Sequence, residues 1–284
     1  MTAPFWILLG ATLVFAVVEM TVTFVAAQRW RNYGIVDVVW SGGFTVIALM
    51  AFAGVTAVTI GRYREMGHPD FTLADVGRSG LLTLMVTLWS LRLAVHLGIR
   101  VRSHHPVEDV RYARLRTEWG AAASRRMFAF YQLQGVLQAV LSLPFLLVFS
   151  DFSAGSGGIG VTEGIGTALW LAGLAGEGIA DRQLARFRAD PANRGRVCQA
   201  GLWNWSRHPN YFFEWLIWIG YAVFALGAPF GWLGLISPLL MGHFLVNVTG
   251  IPMTEELSVK SKGDAYREYQ RTTSAFIPWF KRAG

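Results

Sequence analysis

The chain has 284 residues, of which 53% are hydrophobic and only 15% are charged, and its net charge is +7. Soluble domains carry about 25% charged residues, so this composition excludes an ordinary soluble protein and predicts an integral membrane protein. The positive charge flanks apolar segments, which indicates contact with anionic lipid and not nucleic-acid binding. A single cysteine, Cys198, excludes an intramolecular disulfide and a cysteine-based metal cluster.

Long apolar segments divide the chain into predicted membrane helices. Each is long enough to cross a hydrocarbon core of about 30 Å. We predict an all-α protein: one transmembrane domain over residues 1–284, built as a bundle of seven transmembrane helices with amphipathic cytoplasmic segments. The predicted helices cover residues 4–27, 35–60, 79–99, 128–150, 159–181, 212–229 and 231–252.

The placement of basic residues predicts the orientation of these helices. Of the 25 Lys and Arg residues, 21 lie in segments 28–34, 100–127, 182–211 and 253–284. By the positive-inside rule these segments face the cytoplasm, so the N-terminus lies outside and the C-terminus inside. The tail is predicted to form an amphipathic helix on the membrane face that caps a ligand or anchors the terminus.

Two acidic residues and one arginine lie within the N-terminal predicted helices: Glu19, Asp37 and Arg92. Such residues normally face a bundle interior or a water-filled cavity. An Asp37–Arg92 ion pair would join the second and third helices. If the second helix begins one turn early, Tyr33 and Asp37 share a face, and both groups then donate hydrogen bonds to a carbonyl oxygen. The two hypotheses are compatible, because the ion pair could also line a pocket.

The two long cytoplasmic connections carry thirteen of the arginines. Segment 100–127 is predicted to form an amphipathic surface helix that faces lipid or a cofactor. In segment 182–211, Arg188 follows Asp181 by seven residues, on the same helical face. Guanidinium groups bind phosphate oxygens bidentately, so the arginines of this segment predict a polyphosphate ligand. The cluster consists of Arg186, Arg188, Arg194, Arg196 and Arg207.

Residues 201–222 combine an apolar helix with a polar run at its start. Pro209 can open the helix because its missing N–H costs nothing in the first turn. Asn210, Glu214 and Trp218 follow at i, i+4 and i+8, so they share one face. A carboxylate in an apolar helix costs about 2–3 kcal/mol, so Glu214 needs either a hydrogen bond from a neighbouring helix or a ligand. The polar run, placed to hold an anion at the membrane surface, comprises Arg207, His208, Asn210 and Tyr211.

These residues resemble the steroid 5α-reductase family, specifically its bacterial membrane branch. The resemblance covers most of the chain and is specific over the C-terminal half. The ending Ile277-Pro278-Trp279 also fits the family pattern. The other matching residues, at the family's spacing, are Asp181, Arg188, Gly201-Leu202-Trp203, Asn210, Glu214 and Trp218–Ala222.

The resemblance implies an enzyme of the bacterial inner membrane that uses NADPH to reduce the C4–C5 double bond of a 3-oxo-Δ4-steroid or a similar lipophilic enone. Hydride passes from the nicotinamide to C5 while protein groups polarise the C3 carbonyl. Most of the implied cofactor site lies in residues 181–284, with the basic residues on the phosphates. The implied cofactor residues are Arg92, Asp181, Arg188, Arg196, Arg207, His208, Asn210, Tyr211, Glu214 and Trp218.

On the substrate side, the resemblance implies a glutamate in the second helix, and Asp37 is the nearest match. The family's catalytic tyrosine falls on Trp89, which has no phenolic proton to donate, and its glutamine falls on Val36. Tyr33 substitutes for the missing tyrosine, or Asp37 acts alone. The predicted catalytic residues are therefore Asp37, Tyr33 and Trp89.

Three other functions remain open. The Arg-His-Pro-x-Tyr element with a downstream Glu255-Glu256 also resembles integral membrane methyltransferases that use S-adenosylmethionine, and sterol reductases of other ring double bonds share the Arg-His-Pro-Asn-Tyr run. Seven helices alone would also permit a transporter or receptor, which the absence of repeat symmetry disfavours. We predict no metal site and no obligate protein partner.

Overall fold

A computed structural model describes residues 1–67, 72–152 and 158–282. Over these residues the chain is helical and contains no strand, and one isolated β-bridge joins Ser206 to Ser274. The prediction of an all-α protein is confirmed for this part of the chain.

The helices are numbered in chain order. The first six are α1 (Ala3–Trp30), α2 (Ile35–Glu65), α3 (Gly77–His104), α4 (Val110–Trp119), α5 (Ala123–Leu141) and α6 (Leu143–Phe149). The remaining five are α7 (Val161–Ala189), α8 (Pro209–Ala225), α9 (Ile236–His243), α10 (Ile251–Lys262) and α11 (Asp264–Thr272). A π-helical turn, Phe244–Val248, joins α9 to α10.

Within the described residues, four helical stretches are long and apolar enough to cross a membrane: Ala3–Trp30, Ile35–Glu65, Gly77–His104 and Gly231–Lys262. A fifth is added if Val110–Leu141 and Leu143–Phe149, which bend by 47°, count as one span. The protein is thus a membrane protein with four or five candidate spans.

The predicted count of seven spans is not confirmed, because the helices near 159–181 and 212–229 do not meet these criteria. Glycines together with Glu163 and Glu177 dilute the apolar residues of α7. The 17 residues of α8 rise only about 25 Å, which is less than the thickness of the hydrocarbon core.

The chain divides into two compact units. Unit 1 comprises Met1–Gly160 and Ala225–Leu233, and unit 2 comprises Val161–Phe224 and Gly234–Gly284. In unit 1, α2 packs along α3, and α1 packs along α2 and α5. In unit 2, α10 packs on α11.

Small and polar side chains hold the helices of unit 1 together. The Ser90 hydroxyl donates to the carbonyl of Ser41. A Cβ on Gly43 would lie 2.4 Å from the side chains of both Glu19 and Gln138, so only glycine leaves room for them. Glu19 therefore faces the bundle interior, as we predicted for an ionisable residue in a membrane helix.

Glycines also allow α7 and α8 of unit 2 to approach closely. A Cβ on Gly166 would lie 2.5 Å from the backbone nitrogen of Phe224. Beside this contact, the indole N–H of Trp170 donates to the Tyr221 hydroxyl at 2.9 Å. Close backbone approach through small residues is typical of helices that pack inside a membrane.

The structure confirms one predicted helix boundary in unit 2 and corrects another. Pro209 opens α8, as predicted. The predicted end of the preceding helix at 181 is wrong, because α7 continues to Ala189. Asp181 and Arg188 therefore lie on one continuous helix, two turns apart.

The C-terminal segment folds back along the residues that precede α8. In place of the single amphipathic helix predicted for the tail, the structure has two helices, α10 and α11, separated at Gly263, and of these α11 is amphipathic. The chain then becomes extended, so that the backbone N–H of Arg207 donates to Ser274 at 2.8 Å and that of Trp279 donates to Trp205 at 2.9 Å. The tail and the start of α8 are thus held together.

Candidate functional site

Asp37 is the centre of a polar cluster in unit 1. Its carboxylate accepts hydrogen bonds from the Tyr112 hydroxyl at 2.7 Å and from the Arg111 guanidinium at 2.6 Å. Both donors belong to α4, which confirms the amphipathic helix predicted within 100–127. Tyr112 is 3% exposed, whereas Arg111 and Asp37 remain partly exposed. The cluster therefore places one buried phenol beside a carboxylate that is open on one side.

Asp109 holds Arg111 in place. It precedes α4 and caps that helix, accepting from the backbone N–H of Arg111 at 3.0 Å and from its Nε at 2.9 Å. Burial acts to raise the pKa of Asp109, but the hydrogen bonds and charge of Arg111, with the charge of Arg100, outweigh it and leave that pKa below its ordinary value. The guanidinium is thus fixed between two carboxylates, Asp37 and Asp109.

The hypothesis of an Asp37–Arg92 ion pair is wrong. Asp37 accepts hydrogen bonds from Arg111 and Tyr112. Both donors belong to α4, whereas Arg92 belongs to α3. Arg92 is a residue of α3 in unit 1. Its predicted role at the cofactor stays a prediction.

Tyr33 and Asp37 do not share a helical face, because α2 begins at Ile35 and not one turn earlier. The Asn32 side chain accepts from the backbone N–H of Gly34 at 2.9 Å, so the chain turns before the helix begins. The Tyr33 ring stacks on Phe24 within an aromatic core.

Trp89, the other predicted catalytic residue, is fully buried. Its ring lies 5.4 Å from that of Phe44 in unit 1. The phenol that donates to Asp37 belongs to Tyr112 and not to Tyr33.

Unit 2 contains a cavity of about 300 Å³ with a cationic lining. The end of α7 contributes Arg188, the following loop contributes Arg194 and Arg196, and the end of α10 contributes Lys262. The fold thus brings together two predicted cofactor residues, Arg188 and Arg196. It adds Lys262, which the sequence pattern did not connect to them.

The positive charge of this cavity is not paired with any carboxylate that the structure describes. Among the described residues, no carboxylate forms an ion pair with Arg188, Arg194 or Arg196. The one acid in the lining, Asp190, accepts from the backbone N–H of Ala192 at 2.9 Å and so caps a short turn. A concave surface with uncompensated cations attracts anions. No three His, Cys, Asp or Glu side chains group to hold a metal within the described ranges.

The start of α8 confirms the predicted face. The indole N–H of Trp218 donates to Glu214 at 2.9 Å, one turn away, and Glu214 is 8% exposed. The side-chain oxygen of Asn210 is buried and accepts no hydrogen bond from the described residues. Asn210 therefore retains a buried acceptor for a donor group.

Arg207 and His208 bind within the protein. The Nε of Arg207 donates to Glu255 at 2.6 Å, and its Nη1 donates to the carbonyls of both Gln270 and Thr273. His208 lies 3.1 Å from the same oxygen of Glu255 and stacks on Tyr211. The geometry gives these two residues a structural role, the joining of α8 to α10 and α11, and their contact with a cofactor stays a prediction. Glu255, whose role the sequence left open, is their shared partner.

The Gly201-Leu202-Trp203 motif attaches the start of α8 to α7. The backbone N–H of Leu202 donates to Gln183 at 2.9 Å, and the Trp203 indole donates to the carbonyl of Ala180 at 3.0 Å. Gly201 has a positive φ of 59°, and a Cβ there would lie 2.3 Å from Gln183. Asp181 is next to this contact and does not line the cavity.

Tyr266 connects the cavity to the Arg207–Glu255 contact. The ammonium group of Lys262 lies 5.8 Å from the centre of its ring. Burial, with the negative charge of Glu255, raises the pKa of Tyr266 to about 12. The cationic cavity and the start of α8 are therefore neighbours within unit 2.

Sequence reasoning missed Arg111, Tyr112 and Lys262 as site residues. The run Glu108-Asp109 followed by Arg111-Tyr112 was visible as part of an amphipathic helix. Nothing in its pattern indicated which distant carboxylate it contacts, because that depends on how α4 packs.

Comparison with known proteins identifies the family of this chain. A protein of Schizosaccharomyces pombe described as uncharacterized is 27% identical to it over 231 residues, which cover 70% of this chain and 62% of that protein. The chain thus spans less than two thirds of the length of this relative. No solved structure matches the chain. Residues 23–273 match the family described as protein of unknown function DUF1295, and the chain belongs to that family.

Proposed function

We propose that this protein is an NADPH-dependent reductase that reduces the C4–C5 double bond of a 3-oxo-Δ4-steroid, or of a similar lipophilic enone, within the membrane. The observation that carries the proposal is the cationic cavity of unit 2, in which arginines that pair with no carboxylate of the described residues surround a space of about 300 Å³. NADPH carries a pyrophosphate and a 2′-phosphate, which match such a surface in charge.

The residues of unit 2 fit this cofactor in chemistry as well as in charge. Arg188, Arg194 and Arg196 offer planar forks for phosphate oxygens, and Lys262 offers a mobile point charge. Asn210 offers a buried acceptor. An acceptor of this kind suits an N–H or O–H group of the cofactor, because a buried polar atom without a partner costs about 1–3 kcal/mol.

Tyr112 is the residue we assign to the substrate carbonyl. Bound NADPH supplies a hydride to the enone carbon. Negative charge then develops on the carbonyl oxygen, and a donor already in position stabilises it. In the structure the single O–H of Tyr112 donates to Asp37, which also accepts from Arg111. In the proposed complex this O–H turns to the substrate carbonyl, while Asp37 keeps the hydrogen bond from Arg111 and does not itself donate. This assignment gives Tyr112 the role that the family resemblance places at Trp89.

We also propose the topology predicted from charge, in which the chain crosses a bacterial inner membrane seven times with its N-terminus outside. It is supported by the concentration of basic residues in the connections and tail. The apolar surface of the spanning helices gives a lipophilic substrate a route from the bilayer.

A methyltransferase that uses S-adenosylmethionine is the second candidate. It is favoured by one observation, the contact of Glu255 with Arg207 and His208, because this contact joins the two parts of the element that resembles those enzymes. Against it, S-adenosylmethionine carries a positive sulfonium and no phosphate, so a cavity lined by four cations repels it.

Equilibrium binding to the purified protein separates the two functions. We expect NADPH to bind and S-adenosylmethionine to leave the protein unchanged. Membranes incubated with NADPH and testosterone or progesterone should then yield a 5α-reduced product. Binding of S-adenosylmethionine without NADPH would reject the reductase, and binding of neither would reject both enzymes.

A further inference from the structure

An exposed aromatic patch lies at the C-terminal end of unit 2. It consists of Trp205, Ile277, Trp279 and Phe280, with Trp279 66% and Phe280 68% exposed. The Trp205 and Phe280 rings meet edge to face at 5.2 Å. The patch is a preformed surface of several large side chains and not a set of scattered apolar residues.

Backbone hydrogen bonds hold this aromatic patch in place. The N–H of Trp279 donates to the carbonyl of Trp205, and the N–H of Arg282 donates to Thr272, both at 2.9 Å. The Ser206 hydroxyl donates to the carbonyl of Phe276 at 2.8 Å. The tail therefore presents its rings from a fixed backbone, which lowers the entropy lost when a partner covers them.

Basic residues border the patch. Lys281 and Arg282 follow Phe280 directly, and the Lys281 ammonium donates to a neutral group, the Gln199 side chain, at 2.7 Å. The charge of Lys281 is therefore not cancelled by that contact. An apolar aromatic surface beside uncompensated positive charge complements the interface of an anionic bilayer, where tryptophan is enriched and basic side chains contact headgroups.

The position of the patch in the chain supports the same partner. Its C-terminal part begins at Ile277, fifteen residues after the candidate span that ends at Lys262, within the distance over which basic residues flank membrane helices. The patch lies outside that span, and its residues 277–280 are on non-helical chain, so hydrocarbon contact along a spanning helix does not account for it.

We propose that the aromatic patch inserts into the headgroup layer of an anionic membrane leaflet and fixes the tail there. Because Ser206 and Arg207 bind the same tail, the start of α8 is held at the membrane surface. The partner is the lipid surface and not a second copy of the chain, because Lys281 and Arg282 would repel the same residues of another copy. This inference is independent of the proposed reductase activity.

Spin labels report the depth of the patch directly. In a Cys198→Ser background, Phe280→Cys is labelled in the full chain and reconstituted into nanodiscs of phosphatidylcholine with phosphatidylglycerol. We expect collisions with oxygen to exceed collisions with a water-soluble nickel chelate. Arg267→Cys, on the exposed face of α11, is the matched control and should show the reverse ratio. Trp279→Cys repeats the measurement if Phe280→Cys fails to fold.

A second arm tests the role of charge. With Lys281→Gln and Arg282→Gln together, the label at Phe280 should move toward water in the anionic discs, and salt should have less effect on its depth. A label at both positions 279 and 280 that stays as accessible to the nickel chelate as the Arg267→Cys control would overturn the proposal. Spin–spin contact between two copies in one disc would also overturn it, in favour of self-association.

Discussion

In unit 1, Arg78 and Asp151 form an ion pair at 2.8 Å, and both side chains are only 4% exposed. In the cavity of unit 2, Arg188 and Arg196 lie together without a carboxylate partner among the described residues. Both units thus carry charge beside apolar helices, but this buried arginine of unit 1 is paired, while the arginines of the cavity have no carboxylate partner among the described residues.

This difference separates structural charges from ligand-binding charges. A buried pair stabilises the fold only while both partners remain, because removal of one leaves an uncompensated charge. Cationic side chains without a carboxylate partner contribute little to the stability of the fold and repel one another, so their grouping favours binding of an anionic ligand. Arg207 shows that the division does not follow the units alone, since it lies in unit 2 and pairs with Glu255.

The largest expected effect concerns the one polar cluster of unit 1 that we assign to chemistry. Tyr112→Phe removes the hydroxyl that donates to Asp37. We expect turnover of the enone to fall about 10²- to 10⁴-fold, the usual contribution of a positioned proton donor. NADPH affinity should not change, because the cavity residues are untouched. Single-turnover rates and equilibrium binding measure the two quantities.

The matched control for this variant is Tyr131→Phe. Tyr131 is also a buried phenol, but it donates to the backbone carbonyl of Tyr33 at 2.6 Å. Its loss should reduce stability by about 1 kcal/mol and leave turnover intact. Equal losses of turnover in both variants would assign Tyr112 to packing alone.

Breaking a paired charge should cost stability. Arg78→Met leaves the Asp151 carboxylate buried without this partner, and we expect the free energy of unfolding to fall by about 3–5 kcal/mol. Denaturation of the purified protein in detergent measures the change. Arg64→Met, at an exposed arginine of α2, is the control and should stay within about 0.5 kcal/mol of the parent.

Replacing an arginine of the cavity lining should lower the affinity for the ligand and leave the stability of the protein unchanged. Arg196→Gln deletes one guanidinium from the cavity lining, and we expect NADPH to bind about 10- to 100-fold more weakly, since a hydrogen bond to a charged group contributes about 1.5–3 kcal/mol. The unliganded protein should be as stable as the parent, because no ion pair is broken. Calorimetric binding and thermal unfolding check both statements.

Arg267→Gln is the matched control for that variant. It removes the same charge from α11, where Arg267 forms an exposed pair with Asp264, outside the cavity. We expect unchanged NADPH affinity. Weakening equal to that of Arg196→Gln would mean that the overall charge of the surface, and not the cavity, attracts the nucleotide.

The smallest expected effect is a pH dependence in α4. A carboxyl group whose pKa is lowered in the folded state stabilises that state above its unfolded pKa, and this stabilisation is lost as the pH falls through the folded value. For Asp109 the loss begins below about pH 4. Hydrogen exchange of the α4 amides, corrected for intrinsic rates, should then accelerate.

Asp109→Asn is the control for this titration. Asparagine also caps helices well but has no carboxyl proton, so the pH dependence in α4 should disappear. If the variant keeps the full dependence, another group causes it.

Much of the fold followed from local pattern. Proline at 209 starts α8, and the i, i+4 spacing of Glu214 and Trp218 places their side chains in contact. Both results depend on residues close in sequence, so helix geometry alone determines them. The number of spans did not follow, because the apolar content of α7 and the length of α8 lie near the limits for a span.

The candidate sites were predictable only in part. The arginines of segment 182–211 indicated an anion, and the cavity contains three of them. The shared helical face predicted for Tyr33 and Asp37 is absent, because the turn at Asn32 places Tyr33 before α2. The phenol that donates to Asp37, that of Tyr112, is 75 residues away in sequence, and no periodicity indicates a contact over that separation.

The sequence by itself determined that the chain is a helical membrane protein with basic connections, because hydrophobicity and charge act on each segment separately. Only the tertiary structure decided which charges are paired. A hydrogen bond requires its atoms to lie within about 3 Å, and the packing of distant helices sets that distance. The packing pairs Arg207 with Glu255 and Asp37 with Arg111. It places Arg188 and Arg196 at the cavity, without a carboxylate partner among the described residues.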